Sequence, residues 1–189
     1  MPLTKIQSLG ITDGTIVNAD INASAGITSA KLDDLANPFG KELLHVRDEK
    51  TSGTQGGTFT SGSFVTRTLN TSVTNEISGA SLSSNQITLP SGTYFVIADA
   101  PAYSCDTHRL KLRNITDSSD TLLGNLQRIA DAVDGLTTAM LSGRFTISAQ
   151  KTFELQHRCN TTENTYGLGI ASGYSLTEIY ANIMIWKVA

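Results

Sequence analysis

Short segments in which apolar and polar residues alternate constrain this sequence more than any other feature. The strictest is residues 108–113, where His108, Leu110 and Leu112 alternate with Arg109, Lys111 and Arg113. A period of two places the two sets on opposite faces of a strand. Similar segments, bounded by turn-forming residues, lie at residues 42–48, 64–73, 86–89, 93–100, 144–148, 153–159 and 180–188. This spacing predicts an all-β, antiparallel two-sheet sandwich.

Composition agrees with a β-rich chain and excludes some partners. Charged residues make up only 16% of the chain, against roughly 25% in an average protein, and the formal net charge is −3. Such a balance gives no electrostatic reason to bind nucleic acid. No apolar run approaches the ~20 residues that cross a bilayer, so we expect no membrane insertion.

One stretch does not follow the strand pattern. Apolar residues at Leu123, Leu126, Ile129, Ala130 and Val133 fall at helical spacing between two glycines. Periodicity alone leaves residues 123–133 open to either a short helix or a strand.

The first forty residues carry a different pattern. Large aliphatic residues recur roughly every five positions, at Ile6, Ile11, Ile16, Ile21, Ile27 and Leu32. This period fits neither a helix nor a strand, but three copies wound about one axis could bury the stripe. We therefore predict an extended attachment or trimerisation segment at residues 1–40 and a folded domain at 41–189, divided at the Asn-Pro-Phe-Gly of residues 37–40. The alternative is a disordered leader.

The final predicted strand is apolar on both faces. Tyr180, Met184, Trp186 and Val188 share one face, and Ala181, Ile183 and Ile185 share the other. A strand with one face in water should alternate with polar residues, so both faces are expected to be buried. We interpret the first set as a subunit interface. The alternative is a central strand beneath a long loop.

No motif for catalysis, phosphate binding or calcium binding is present, and we predict no enzyme and no cofactor. The best metal candidate is the set Cys105, His108, His157 and Cys159, whose soft and imidazole ligands suit zinc. Strand parity opposes it, because Cys105 and His108 would point to opposite faces unless the chain bulges between them. A disulfide between the two cysteines and a pair of buried thiols are the alternatives, and no metal is predicted.

The basic stripe of Arg109, Lys111 and Arg113 is a candidate ligand surface for an acidic glycan, which Arg128, Arg144 and Arg158 could extend. The alternative is a solvated face paired with acidic neighbours. Tyr103, Tyr166 and Tyr174 suit stacking on sugars and suit core packing equally well.

Two groups of segments carry a resemblance to known families. ITDGTIVNADI and ITSAKL resemble repeats of phage tail-fibre and related virion proteins. LPSGTYFVIADAPAY, HRLKLRNITD, LSGRFTISAQKTFELQHRC and EIYANIMIWKV are similar, in their order, to the C1q- and tumour-necrosis-factor-like jelly rolls found at the ends of phage fibres. The resemblance implies a jelly roll assembled as a homotrimer, with strands facing the three-fold axis.

The same resemblance implies a location in the virion, after assembly in the host cytoplasm. Other virion proteins, of the capsid or the tail, and host-surface glycans are then the expected partners. Two other functions stay open: a soluble lectin-like module of a bacterium, and a polysaccharide depolymerase. The latter would need two carboxylates ~5 to 10 Å apart across a groove, taken from Asp99, Asp106, Glu154 and Glu163.

Overall fold

A computed structural model describes residues 42–129 and 134–188, and within them every regular element is a β-strand. The strands are β1 (Glu42–Lys50), β2 (Val65–Thr66), β3 (Thr71–Asn75), β4 (Ser81–Ser83), β5 (Gln86–Leu89), β6 (Gly92–Tyr103), β7 (Asp106–Asn114), β8 (Ser119–Ile129), β9 (Leu136–Ile147), β10 (Lys151–Cys159) and β11 (Glu178–Lys187). The described part of the chain contains no helix long and apolar enough to span a membrane.

The strands form two antiparallel sheets that pack face to face. Sheet I has the order β3-β1-β11-β6-β9, and sheet II has the order β4-β5-β10-β7-β8, with β2 paired beside β10. From β5 onwards the chain crosses repeatedly between the sheets, which is the connectivity of a jelly roll. The predicted all-β, two-sheet jelly-roll sandwich is confirmed.

Alternation in the sequence explains the core. Along β7, Leu110 and Leu112 are fully buried between the sheets, whereas Arg109 is exposed. On sheet I, the even-numbered residues of β6 from Tyr94 to Ala102 and the residues Ile183 and Ile185 of β11 point inward. The strands β1, β5, β6, β7, β9, β10 and β11 therefore each contribute one side to a common apolar core and leave the other side outside.

One strand prediction needs correction, and one short strand was not predicted. The predicted strand at residues 64–73 is two strands, because β2 pairs with β10 in sheet II and β3 pairs with β1 in sheet I. The chain crosses between the sheets at residues 67–70, and Arg67 and Leu69 turn into the interior there. Strand β4 was not predicted, since a three-residue strand carries no measurable alternation.

The helical reading of residues 123–133 is wrong for the residues that the structure describes. Residues 119–129 form β8, paired with β7 through two register shifts. Each shift displaces the apolar residues from a period of two, which left Leu123 and Leu126 at helix-like spacing. Gly124 lies so close to β9 that a Cβ atom there would sit 2.5 Å from the carbonyl oxygen of Met140. Residues 130–133 lie outside the described residues, as do the six aliphatic residues from Ile6 to Leu32 and the predicted boundary at residue 40.

Candidate functional site

The outer face of sheet I carries rows of large apolar side chains across its strands. Leu43, Trp186 and Phe95 are cross-strand neighbours in one row, with the Trp186 and Phe95 ring centroids 6.3 Å apart. In the next row Met184 pairs with Ile97. These side chains are half-buried although they lie on the side of the sheet away from the core. Contiguous apolar patches of this kind are a common feature of surfaces that associate with other proteins.

Polar residues on the same face bond mainly to one another. Nε2 of His45 lies 2.6 Å from Oδ1 of Asn182 and 3.1 Å from Nε of Arg47, so it donates to the amide oxygen in one tautomer and accepts from the guanidinium in the other. The Asn182 amide in turn donates to Asp99 at 3.0 Å. Because these groups already have partners, covering the face with another protein surface would leave few of them unsatisfied.

Tyr180 does not belong to this surface, which corrects its assignment to a subunit interface. Its side chain is 2% exposed, its hydroxyl donates to the carbonyl of Thr54, and Gly169 packs against its ring. The register between β1 and β11 skips Tyr180, and loops of the same chain then cover it. Met184, Trp186 and Val188, the other predicted interface residues, are half-buried. Their role in assembly stays a prediction.

A second apolar surface runs along the edge where β8 and β9 meet. Leu123 and Leu126 of β8 are 58% and 61% exposed, and Leu136 and Met140 of β9 are 47% and 54% exposed. Met140 pairs with Asp99 and Leu136 with Tyr103, so the β9 side of this edge borders the outer face of sheet I. Val73 of β3 and Ile179 of β11 are further exposed apolar residues on the described strands, at 45% and 46%.

The outer face of sheet II holds the predicted basic stripe, and only part of it is available to a ligand. Lys111 is 8% exposed; its ammonium lies 2.9 Å from Asp120 and 4.1 Å from the centre of the Phe64 ring. Arg113 bonds to the same carboxylate at 2.9 Å. Hydrogen bonds from Lys111 hold the pKa of Asp120 below its usual value. Arg109, in contrast, is exposed, so its surroundings differ from those of Lys111 and Arg113, the other two residues of the predicted stripe.

The four cysteine and histidine residues do come together, but not as a metal centre. Ser104 and Asp106 have positive φ angles, and the resulting kink lets both Cys105 and His108 face the interior. Nδ1 of His108 lies 3.0 Å from Nε2 of His157, so the two rings bond to each other. Among the described residues no group of His, Cys, Asp or Glu has a geometry that could hold a metal ion.

The two cysteines are free thiols in contact across neighbouring strands. Both are buried in a small cluster with Phe59 and Ala102. The hydrogen bond to Cys159, together with burial, raises the pKa of the Cys105 thiol. The structure thus matches the buried-thiol alternative.

Two buried histidines and the buried charged residues Arg67 and Asp48 make one end of the interior polar. Burial lowers the pKa of His108 to about 4 and that of His157 well below its usual value, with the positive charge of Arg67 adding to both shifts. Arg67 is fully buried and donates to the carbonyl groups of Leu168 and Tyr180. Burial lowers its pKa to about 10, although the charge of Asp48 opposes that shift.

Sequence analysis missed Arg67 and Asp48. A signal was present for Asp48, because it shares strand parity with Leu44 and Val46 and hence lies on the buried face. Arg67 lies within the predicted strand at residues 64–73, and nothing in the sequence indicates that its charged side chain turns inward.

The carboxylates considered for polysaccharide cleavage lie in separate settings. Asp99 is on the outer face of sheet I and bonds to Asn182. Glu154 is on the outer face of sheet II, and Asp106 pairs with Arg128 at 2.9 Å. Glu163 lies in the segment after β10, where its backbone pairs with that of Phe59.

These features define a C1q/TNF-like jelly-roll sandwich. The globular domain of zebrafish complement 1qA protein is similar to it with a TM-score of 0.51 and 11% identity, over 79% of this chain and 98% of that one. Murine APRIL at pH 5.0 gives a TM-score of 0.48 and 7% identity, over 77% and 98% of the two chains. At such identities the zebrafish likeness supports the fold alone. No protein-family model and no curated protein sequence matches the chain.

Proposed function

We propose that this chain is a structural protein of a bacteriophage particle, in a tail fibre or a capsid fibre, and that it assembles as a homotrimer. The observation that carries the proposal is the pair of apolar surfaces on one sandwich: the outer face of sheet I and the β8–β9 edge. The proposal contains no catalytic step.

Two different apolar surfaces on one protomer favour a head-to-tail contact. If the edge of one protomer packs on the sheet I face of the next, each contact leaves one face and one edge unused, and rotation about an axis closes the ring. Phe95, Trp186 and Met184 would then be buried against Leu123, Leu136 and Met140 of the neighbouring protomer. Closure after three copies is the assembly that the sequence resemblance implies.

The proposed role in a phage particle rests on the first forty residues. Their five-residue repeat resembles virion attachment segments, so we assign Ile6, Ile11, Ile16, Ile21, Ile27 and Leu32 to contacts with another virion protein. The jelly roll would then project outward and decorate the particle or contact the host surface. This assignment rests on the sequence pattern.

Two measurements test the proposal. Light scattering of the full chain should give three times its 20.1 kDa mass. Met184→Glu should reduce the mass to that of one chain, because an unpaired carboxylate is costly to bury at an interface. Ser119→Glu, on an exposed position of sheet II, is the matched control and should stay trimeric. A monomeric wild-type chain would contradict the proposed trimer. Failure to detect the chain in purified virions by mass spectrometry would contradict the proposed structural role.

A lectin-like binding module is the second candidate, favoured by one observation. Arg109 and Arg158 are exposed on sheet II beside a groove and have no acidic partner among the described residues. A monomer that binds glycan and is absent from virions would select this candidate.

A further inference from the structure

A groove of about 290 Å³ opens on the outer side of sheet II, where β7, β8 and β10 run beside the segment before β2. Its lining includes Phe64, Thr107, Arg109, Leu126, Arg158 and Asn160. The proposed virion role leaves this groove unassigned. The groove shares Leu126 with the β8–β9 edge, but it adds two exposed arginines that neither apolar surface contains.

The charge along the basic stripe is unevenly compensated. Arg113 stands between Asp120 on β8 and Glu154 on β10. Lys111 also pairs with Asp120. Acidic side chains therefore compensate the positive charge at the end of the stripe that contains Lys111 and Arg113.

At the groove the row reads Leu126, Arg109 and Arg158, with no acidic residue. Arg109 and Arg158 are directly opposite each other and both are exposed. Like charges in this arrangement destabilise an antiparallel pair. No ion pair engages either guanidinium within residues 42–129 and 134–188. The nearby Asp106 bonds to Arg128 and Asn160, which compensates its charge.

Arg109 is also held in place. Its Nε donates to the carbonyl oxygen of Gly124 at 2.8 Å, which fixes the plane of the guanidinium while its two terminal nitrogens stay available. A planar guanidinium with two free terminal NH2 groups matches a carboxylate, which accepts two parallel hydrogen bonds. A second guanidinium across the strand pair doubles the positive charge at the same point.

The walls of the groove suit a ring with one apolar face. Phe64 offers an aromatic surface and Leu126 an aliphatic one, on either side of the arginines. Thr107 and Asn160 add groups that can bond to hydroxyls. Sugars combine an apolar C–H face with a polar rim, and sites of this size fix orientation with a few polar groups among apolar ones.

We propose that this groove binds the carboxylate-bearing sugar of an acidic polysaccharide, with Arg109 and Arg158 clamping the carboxylate and Phe64 packing against the ring. The inference deepens the proposed contact with the host surface and rests on that function for its biological meaning. Its physical basis lies within one protomer. Three copies on one particle would strengthen a weak single-site contact, since tethered sites gain through effective concentration.

The test is calorimetric titration of the full chain with trigalacturonate and with its fully methyl-esterified form, which keeps the rings and removes the charge. We expect a Kd of about 1 mM or tighter for the acid, and at least about tenfold weaker binding of the ester and of the variants Arg158→Gln and Arg109→Gln. Arg113→Gln is the matched control, because it removes an arginine of the same stripe that is already paired, and it should bind within about twofold of wild type.

Thermal melting separates loss of the site from loss of the fold. Arg158→Gln removes one of two opposed like charges, so its melting temperature should be no lower than that of wild type while binding falls. Equal binding of acid and ester, equal losses in Arg113→Gln and Arg158→Gln, or no heat from the acid at millimolar concentration would each overturn the proposal. Light scattering of the same samples reports assembly independently, so a trimer that fails to bind rejects the groove and leaves the proposed virion role standing.

Discussion

The two outer faces of the sandwich are built from strands of similar length and alternation, yet they are chemically opposite. Sheet I presents Phe95, Ile97, Met184 and Trp186, with its polar residues bonded laterally along one band. Sheet II presents arginine, lysine, glutamate and glutamine, several of them in ion pairs or hydrogen bonds to one another.

This difference separates two tasks that one sandwich can perform at once. A half-exposed apolar face is stabilised when another protein covers it, whereas a charged face is costly to cover and suits contact with solvent or a polar ligand. The apolar edge at β8 and β9 lies between the two, and in the proposed assembly it would contact the sheet I face of the next protomer.

Mixing two defective variants gives the largest expected effect on this comparison. Met184→Glu damages the face and Leu123→Glu damages the edge, so each alone should have the mass of one chain. Combined in equal amounts, the intact edge of the first can still dock on the intact face of the second. Light scattering should then show a two-chain species.

The control is wild-type chain mixed with the Ser119→Glu variant, and this mixture should stay trimeric. Ser119 is exposed and lies on neither of the two surfaces. A mixture of the two defective variants that stays monomeric would contradict the head-to-tail contact. Assembly of Leu123→Glu on its own would instead indicate a face-to-face contact, and the edge would lose its assigned role.

Sequence alone predicted the strands where alternation was undisturbed. Residues 86–89 were placed correctly because Ile87 and Leu89 face the core while Gln86 and Thr88 do not. The strand β8 was not recognised, since its register shifts break the period that sequence analysis relies on. The alternation of apolar and basic residues also predicted correctly that Arg109 lies on the outer face of its sheet.

Pairing between strands could not be predicted in the same way. That Asp120 neutralises Lys111 and Arg113, and that Arg158 faces Arg109, depends on strand order and register, which a single sequence does not contain. The buried position of Tyr180 likewise depends on loops distant in sequence that fold over β11.

The free energy of unfolding should depend on pH more through the buried histidines on the inner side of sheet II than through the apolar inner side of sheet I. His108 has a folded pKa of about 4 against an ordinary value of 6.5, so the unfolded chain binds protons more readily between these pH values. Stability is therefore fully present above pH 6.5 and is lost as pH falls towards 4.

The loss should be on the order of 2–3 kcal/mol for this histidine, from ~1.4 kcal/mol per pKa unit. Urea unfolding at pH values between 4.5 and 7 measures it, against an opposite contribution from Asp48, whose pKa is raised by burial. The variants His108→Gln and His157→Gln should each flatten the slope, and a slope that neither variant changes would place the titrating group elsewhere.

Removing Asp120 tests whether the charged face of sheet II also stabilises the fold. Asp120→Asn leaves the Lys111 ammonium, in a residue that is 8% exposed, without its anionic partner. Loss of a charged hydrogen bond at a buried group costs about 1–3 kcal/mol. Arg113→Gln removes only the more exposed partner and should cost less than half as much in the same urea experiment. Equal losses would mean that Lys111 is solvated despite its burial.

The smallest effect is expected at Lys151 and Asp117, which pair at 2.6 Å at the other end of the stripe. The bond to Lys151 lowers the pKa of Asp117, but that carboxylate is 44% exposed and water screens the attraction. Lys151→Ala should therefore change the free energy of unfolding by no more than about 0.5 kcal/mol, as exposed ion pairs do. A loss above about 1 kcal/mol would show that the exposed ion pairs of sheet II contribute to folding as the apolar core does. A small loss would leave its outer charges to serve solvation and ligand contact, in contrast to the apolar face of sheet I.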